Sequence, residues 1–359
     1  MDKTGLSEED LYTYSRQIVL REIGYQGQER IRDAKVCVVG LGGLGCPAVL
    51  QLAAMGVGYL RIVDRDLVER SNLHRQYLYD TSQLGLPKVE AAMLKLEKLN
   101  PDVKLDPHPL SVDGSNAGRV VEGMDVVLDG LDNLKPRYAV NRACVEHNIP
   151  YVFAAAIETF GSVSTIIPGE TSCLECFYSD IDEDLLPTCS VVGVHPSTTS
   201  IVSSLEVSEA VRVLVDTKPK LAGSLLFFDL SNIEFDRIGL KRREDCPACG
   251  ESPAQIHRFR ESIQIEEVCS RGGRRTFIAV PCEDLDLDLR VIQRRLERTM
   301  GMLSKRTKMS LAFMFKHRTR TTLLQSGVCI LEGRVDGDAA LASYRRIMEG
   351  LQLTGSRQS

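Results

Sequence analysis

The 359-residue sequence predicts an α/β fold in which a doubly wound, mixed sheet is followed by a small α+β domain. Three observations carry this expectation: a β-branched run entering a glycine-rich turn, apolar strand runs alternating with helical periods, and a change of pattern and charge near residue 253. The run Val36-Cys37-Val38-Val39 leads into Gly40-Leu41-Gly42-Gly43-Leu44-Gly45 and then a helix-prone stretch from Ala48 to Met55. This is the strand–turn–helix opening of a Rossmann-like βαβ unit, with the spacing G-x-G-x-x-G. The glycines let the backbone turn tightly and approach a phosphate, and the helix N-terminus offers N–H groups to an anion. Alone, the turn fits any nucleotide, NAD included.

The other elements follow in order. Ser7 before Glu8-Glu9-Asp10 reads as a helix start opening a long amphipathic stretch. Strand signals recur at 35–39, 59–63, 125–129 and 151–155, and helix signals at 87–100, 135–147 and 197–214. Ser162 to Ile167, Leu225 to Asp229 and Ile233 to Leu240 read as later, antiparallel strands, with Asn232 in the last turn. Gly250-Glu251-Ser252-Pro253 marks a boundary, giving units 1–253 and 254–359. The second unit reads ββαβββα: strands at Ile263–Val268, Thr276–Val280, Met309–Phe315, Thr321–Leu324 and Cys329–Leu331, and helices at Leu287–Met300 and Asp338–Leu351.

Composition narrows the class. No apolar run reaches the ~18–20 residues of a membrane span, and the N-terminus shows no signal-peptide pattern, so the expectation is a cytoplasmic protein without a membrane partner. The net charge of −5 divides unevenly: residues 254–359 hold 19 Lys/Arg against 12 Asp/Glu, and the rest holds 25 against 37. The basic second unit can attract RNA or an acidic protein, or simply present a solvated basic surface.

Three features move the nucleotide toward ATP. Asp64 ends the apolar run Tyr59 to Val63 about 20 residues past the glycines, where a carboxylate can accept ribose hydroxyls. Asp66, Asn72, Arg75, Gln76 and Lys88 then form a polar cluster with little use in hydride transfer. A triphosphate uses it: Arg and Lys offset its charge and amides bond its oxygens. Finally, Asp129-Gly130-Leu131-Asp132-Asn133 closes an apolar strand, and a carboxylate there can hold Mg²⁺ on phosphates.

These motifs resemble the MoeB/ThiF family, bacterial and archaeal relatives of ubiquitin-activating enzymes. The matching stretches are Tyr14-Ser15-Arg16-Gln17-Ile18, the glycine turn at 40–45, residues 64–76, 85–91 and 128–133, within roughly residues 7–250. The resemblance implies ATP-dependent adenylylation of the C-terminal Gly-Gly carboxylate of a small ubiquitin-like protein. It assigns Asp64 to ribose, Asn72, Arg75 and Lys88 to phosphates with Gln76 in support, and Asp132 to Mg²⁺. It also makes Arg16 an arginine finger that reaches the ATP of the other subunit in a homodimer.

The cysteines add a second site. Cys173-x-x-Cys176 and Cys246-x-x-Cys249 read as two knuckles of a tetrahedral Zn²⁺ site, with a redox role the alternative. The resembled family holds structural zinc at the same place. Cys189 lies where that family carries a cysteine near the adenylate, reactive in some members and dispensable in others. Cys37, Cys46 and Cys144 read as core thiols, and His195 as a loop residue rather than a base.

The leading functional expectation is therefore an adenylyltransferase serving sulfur transfer (molybdopterin, thiamine or tRNA thiolation) or protein conjugation. The alternatives are adenylylation of a peptide or tRNA-bound carboxylate, and a non-catalytic scaffold that kept the fold. NAD-dependent oxidoreduction comes last.

Overall fold

The computed structural model describes residues 5–179, 192–253, 259–271, 274–315, 319–333 and 336–351. The first unit runs α1 (Glu8–Thr13), α2 (Ser15–Ile18), α3 (Gly24–Asp33), β1 (Lys35–Val39), α4 (Gly45–Ala54), β2 (Tyr59–Val63), α5 (Lys88–Leu99), β3 (Lys104–His108), α6 (Ala117–Val121), β4 (Val126–Asp129), α7 (Leu134–Glu146), β5 (Tyr151–Ile157), β6 (Phe160–Ile166), α8 (Leu174–Phe177), α9 (Pro196–Leu214), β7 (Ser224–Asp229) and β8 (Glu234–Gly239). Its eight strands form one sheet in the order β3-β2-β1-β4-β5-β6-β7-β8. The pairings from β3 to β5 are parallel and those from β5 to β8 antiparallel.

The parallel half is buried on both faces, so alternate residues serve two cores. Val36, Val38, Leu60, Ile62 and Leu128 pack toward α4, α5 and α9. Cys37, Val39, Val63, Val127 and Tyr151 pack toward α6, α7 and the cysteine knuckles. Cys37, Cys46 and Cys144 are buried, as expected of core thiols.

The second unit runs β9 (Gln264–Arg271), β10 (Arg274–Val280), α10 (Leu289–Met300), β11 (Ser304–Arg306), β12 (Ser310–Phe315), β13 (Thr319–Leu324), β14 (Cys329–Gly333) and α11 (Gly337–Gly350). Its six strands form an antiparallel sheet in the order β11-β12-β13-β14-β10-β9. One face, with Phe277, Leu311, Phe313 and Leu331, packs against α10 and α11. The other gathers Ile278, Val280, Leu324, Val328 and Ile330 around Leu67 of the first unit.

Two expectations need correction, and one strand is added to those expected. The amphipathic stretch after Ser7 is not one helix. A capping box between Ser7 and Asp10 opens α1, but the chain breaks at Tyr14 and again before Gly24. Strand β3 carries Pro107 and mixed polarity, which an edge strand tolerates and a sequence pattern conceals. The three-residue β11 adds a fourth strand between the two helices of the second unit.

Candidate functional site: a glycine turn, an acid–lysine cluster and four cysteines

The glycine turn follows β1 and meets the end of β4 backbone to backbone. The Gly40 N–H donates to Val63 O (2.7 Å) and the Gly130 N–H to Val39 O (2.8 Å). A Cβ on Gly40, whose φ is +94°, would lie 2.4 Å from Gly130 O, and one on Gly45 would lie 1.8 Å from Gly40 O. Only glycine permits this closeness. α4 begins at Gly45, beside the turn, with the Cys46 N–H donating to Gly42 O (3.1 Å) and the Ala48 N–H to Leu44 O (3.3 Å).

Asp64 stands at the end of β2. Its Oδ2 accepts from the Leu41 N–H (2.7 Å) and its Oδ1 from the Asp66 N–H (2.7 Å), so the carboxylate ties the turn to the β2 loop. A carboxylate has about four acceptor sites, leaving capacity for ribose hydroxyls. Lys88, at the start of α5, places Nζ 2.8 Å from Asp66 and 3.8 Å from Asp64. Burial alone would push its ammonium down, but the two carboxylates outweigh it and hold Lys88 above the ordinary lysine range. Burial raises Asp64 against the pull of Lys88, whereas at Asp66 burial is outweighed by Lys88 and Arg65 together, which lower it.

The polar cluster joins this corner. Arg75 lies under Gly43, with Cδ 3.5 Å from where a Cβ would stand, and donates to Ser71 O. Asn72 carries the backbone of the same turn, its carbonyl accepting from the Gln76 N–H at 3.0 Å. Gln76 is 2% exposed, and its Oε1 has no hydrogen-bond partner among the described residues. A buried acceptor without a donor beside a phosphate-type turn is a feature that a ligand donor or bridging water would satisfy.

The two carboxylates of the 129–133 loop separate. Asp129 is fully buried, accepting from the Leu131 N–H (3.0 Å) and Tyr151 Oη (2.5 Å) and pairing with Arg137 (3.1 Å). Asp132 is exposed, its Oδ1 accepting from Asn133 Nδ2 (3.0 Å). Its charge also acts on Lys88, Arg65 and Arg137. An exposed oxygen donor within electrostatic reach of Lys88 is of the type Mg²⁺ takes, whereas Asp129 is committed to the core.

Sequence reasoning missed the support beneath Asp129. Glu206 of α9 is fully buried and accepts from the Asp129 N–H at 2.6 Å, while its Oε2 has no partner among the described residues. Burial, reinforced by the Asp129 charge, pushes Glu206 well above the ordinary carboxyl range. Asp129, Arg137, Tyr151 and Glu206 are dispersed in sequence, and only the strand order brings them together.

Arg16 does not join this corner. Tyr14 packs on Gly56, and Gln17 Nε2 donates to Met55 O (3.0 Å), so α2 sits at the C-terminal end of α4. The glycine turn is at the other end, about 15 Å away along a ten-residue helix. Arg16 itself is exposed. Cys189 lies outside the described residues. His195 caps α9, its Nδ1 accepting from the Ser197 N–H, in keeping with a loop role.

The four knuckle cysteines converge. Sγ–Sγ separations are 4.0 Å for Cys173–Cys176, 3.5 Å for Cys173–Cys246 and 3.4 Å for Cys176–Cys249, and all four sulfurs lie within 4.8 Å of one another. A tetrahedral Zn²⁺ with Zn–S of about 2.3 Å sets sulfurs about 3.8 Å apart, so the set fits the ion. Without a cation, burial pushes Cys176 up to about 11 and Cys173 higher, whereas at Cys246 burial is outweighed by hydrogen bonds from the Cys249 and Ala248 backbone and the neighbouring thiols, which lower it; metal binding would displace the protons that Cys173 and Cys176 hold. Behind them, Arg142 and Glu175 pair at 2.6 Å. Among the described residues no helix is long and apolar enough to cross a membrane.

Comparison with known proteins places this arrangement. The chain is 40% identical over 248 residues to the SAMP-activating enzyme E1 of Haloferax volcanii, covering 69% of this chain and 92% of that one. It is 38% identical to the sulfur carrier protein adenylyltransferase of Thermus thermophilus, covering 73% and 98%. With the adenylyltransferase and sulfurtransferase MOCS3 of Drosophila sechellia it shares 37%, covering 74% of this chain and 58% of the other. Among solved structures, E. coli MccB superposes with a TM-score of 0.60 at 22% identity, covering 68% and 76%, a likeness of fold. The ThiF family model matches residues 14–248, and the chain belongs to that family.

Proposed function

We propose that this protein adenylylates the C-terminal carboxylate of a small ubiquitin-like sulfur carrier ending in Gly-Gly, using ATP. The observation that carries the reading is the strand-end corner: a glycine turn, a ribose-type carboxylate, a buried lysine and an unpartnered Gln76 acceptor meet in one place. The similarity to a SAMP-activating enzyme and a sulfur carrier protein adenylyltransferase supports the acceptor class.

In the proposed reaction a carboxylate oxygen attacks the α-phosphorus, the bond from that phosphorus to the β-bridging oxygen breaks, and pyrophosphate leaves. The acceptor is already ionised at neutral pH, so no general base is required. Catalysis is positioning and charge stabilisation. Gly40, Gly42, Gly43 and Gly45 cradle phosphate, Asp64 holds ribose, and Asn72, Arg75 and Lys88 offset charge with Gln76 in support. Asp66 orients Lys88 through their 2.8 Å contact. Asp132 is the proposed Mg²⁺ ligand, and the ion, when bound, would neutralise phosphate charge. Arg16 acts on the nucleotide of a second copy in a homodimer, because its place beyond α4 separates it from its own site. Residues 1–253 form the adenylating unit, in a cytoplasmic enzyme. Cys189 serves a later transfer, so Cys189→Ser keeps pyrophosphate exchange and loses downstream sulfur delivery or conjugation.

The test is ATP–pyrophosphate exchange with a purified Gly-Gly carrier. Exchange should depend on the carrier and vanish when its last glycine is removed. Exchange indifferent to that glycine, or supported equally by an unrelated peptide, would refute the acceptor assignment.

A further inference from the structure

The nucleotide-side loop has a second face. Over residues 64–67 the side chains alternate: Asp64 and Asp66 turn toward Lys88, while Arg65 and Leu67 turn toward the second unit. Arg65 pairs with Glu266 of β9 at 2.7 Å and donates to Ser111 Oγ at 3.1 Å. Leu67, 8% exposed, completes the apolar cluster of Ile278, Val280, Leu324, Val328 and Ile330. The loop is pinned to the entry of α5 by Val68 N–H to Leu86 O (2.8 Å) and Lys88 N–H to Asp66 O (2.9 Å).

The strongest link is Glu90, two residues past Lys88 in the first turn of α5. It is 5% exposed. Its carboxyl accepts from Thr307 Oγ1 (2.6 Å), the Lys308 N–H (3.0 Å) and the Met309 N–H (3.0 Å), all in the turn between β11 and β12. A buried carboxyl with three donors from one turn is a directional anchor, and losing it leaves those donors unpaired.

We infer that the second unit is a structural part of the nucleotide site, with Glu90 a positioning residue that holds Lys88 at its place beside Asp66. The inference rests on the proposed phosphate role of Lys88. It assigns the second unit a task that its basic surface did not reveal: fixing from behind the loop whose front meets ATP.

The test is a double-mutant cycle in the full chain, read by calorimetric binding of the α,β-methylene analogue of ATP with magnesium. Glu90→Gln keeps the side-chain volume but points an amide at three donors. It should weaken the analogue about tenfold in the normal background and less than about twofold in Lys88→Met. Thr307→Val removes one donor from the opposite side and should weaken binding about threefold. It serves as the second variant should Glu90→Gln fail to fold, which melting curves will show. An equal loss from Glu90→Gln in both backgrounds overturns the inference. So does unchanged affinity in both Glu90→Gln and Thr307→Val while Lys88→Met weakens binding. Unchanged affinity in Lys88→Met itself instead overturns the phosphate assignment, and the inference falls with it.

Discussion

Replacing Cys246 by serine should remove the metal and a large share of the first unit's stability. The paired knuckles join chain segments 73 residues apart. Closing a loop of that length restricts the unfolded chain by about 4 kcal/mol on the loop-entropy model for covalent cross-links. A zinc–thiolate clasp that holds only in the folded state contributes its binding free energy instead, about 10–16 kcal/mol in zinc-finger peptides, so about 4 kcal/mol is a floor. At about 2–4 °C per kcal/mol for a unit of this size, the melting temperature should fall by at least about 10 °C. The assay is a thermal melt by circular dichroism paired with elemental analysis. The untreated protein should hold one zinc per chain and Cys246→Ser none. Chelator should shift the unsubstituted protein by the same amount and leave the variant unmoved, because both treatments remove one clasp. Retention of a full zinc equivalent in Cys246→Ser, or a melt within about 2 °C of the unsubstituted protein, refutes the reasoning.

Gly45→Ala should destabilise the turn by at least ~2 kcal/mol, since its methyl would overlap the Gly40 carbonyl, and should abolish ATP binding; unchanged calorimetric titration would count against the cradle. Glu206→Gln should alter the pH profile in a defined sense. A carboxyl raised in the folded state holds a proton that the unfolded chain releases, so its contribution is full at low pH and declines as pH rises through the unfolded value toward the folded one. The glutamine variant keeps an acceptor for the Asp129 N–H and should gain stability relative to the unsubstituted protein between about pH 5 and 8; parallel melting curves across that range would remove the argument. Arg16→Ala and Asp132→Ala chains should each be inactive alone, while heterodimers formed by exchange should recover pyrophosphate exchange at one site. Inactive, verified heterodimers exclude action in trans.

What could be read from the sequence depended on how local the signal was. The glycine turn, Asp64 and the cysteine pairs are short patterns whose geometry is set within a few residues, and the structure places each where its spacing implied. Arg16 had no local signature and was legible only through resemblance. The Asp129–Arg137–Tyr151–Glu206 network was invisible because each member looks ordinary on its strand or helix and the partners meet through strand order. Leu67 and Glu90 were hidden for another reason. They flank predicted site residues, and nothing in their own neighbourhood shows that a second sheet covers their outer side. Strand β3 failed on composition, since Pro107 argues against a strand unless it lies at an edge.

The meeting of Gly40 and Gly130 also constrains how this sequence can drift. A Cβ on either would stand within 2.4 Å of the other's carbonyl oxygen, so each residue occupies the room its partner would need to change. Most steric clashes can be relieved by shrinking the neighbour, but here the neighbour is already the smallest residue. No second-site substitution at the facing position can rescue the first. Gly42, a step away, has nothing nearer than 3.9 Å and lacks that lock. In a saturation library Gly40 should therefore be closed to every replacement and without a suppressor at Gly130, whereas Gly42 should accept small side chains for as long as the ligand permits, and Gly43, whose Cβ would meet the Thr199 side chain at 3.1 Å, should be open to local suppression.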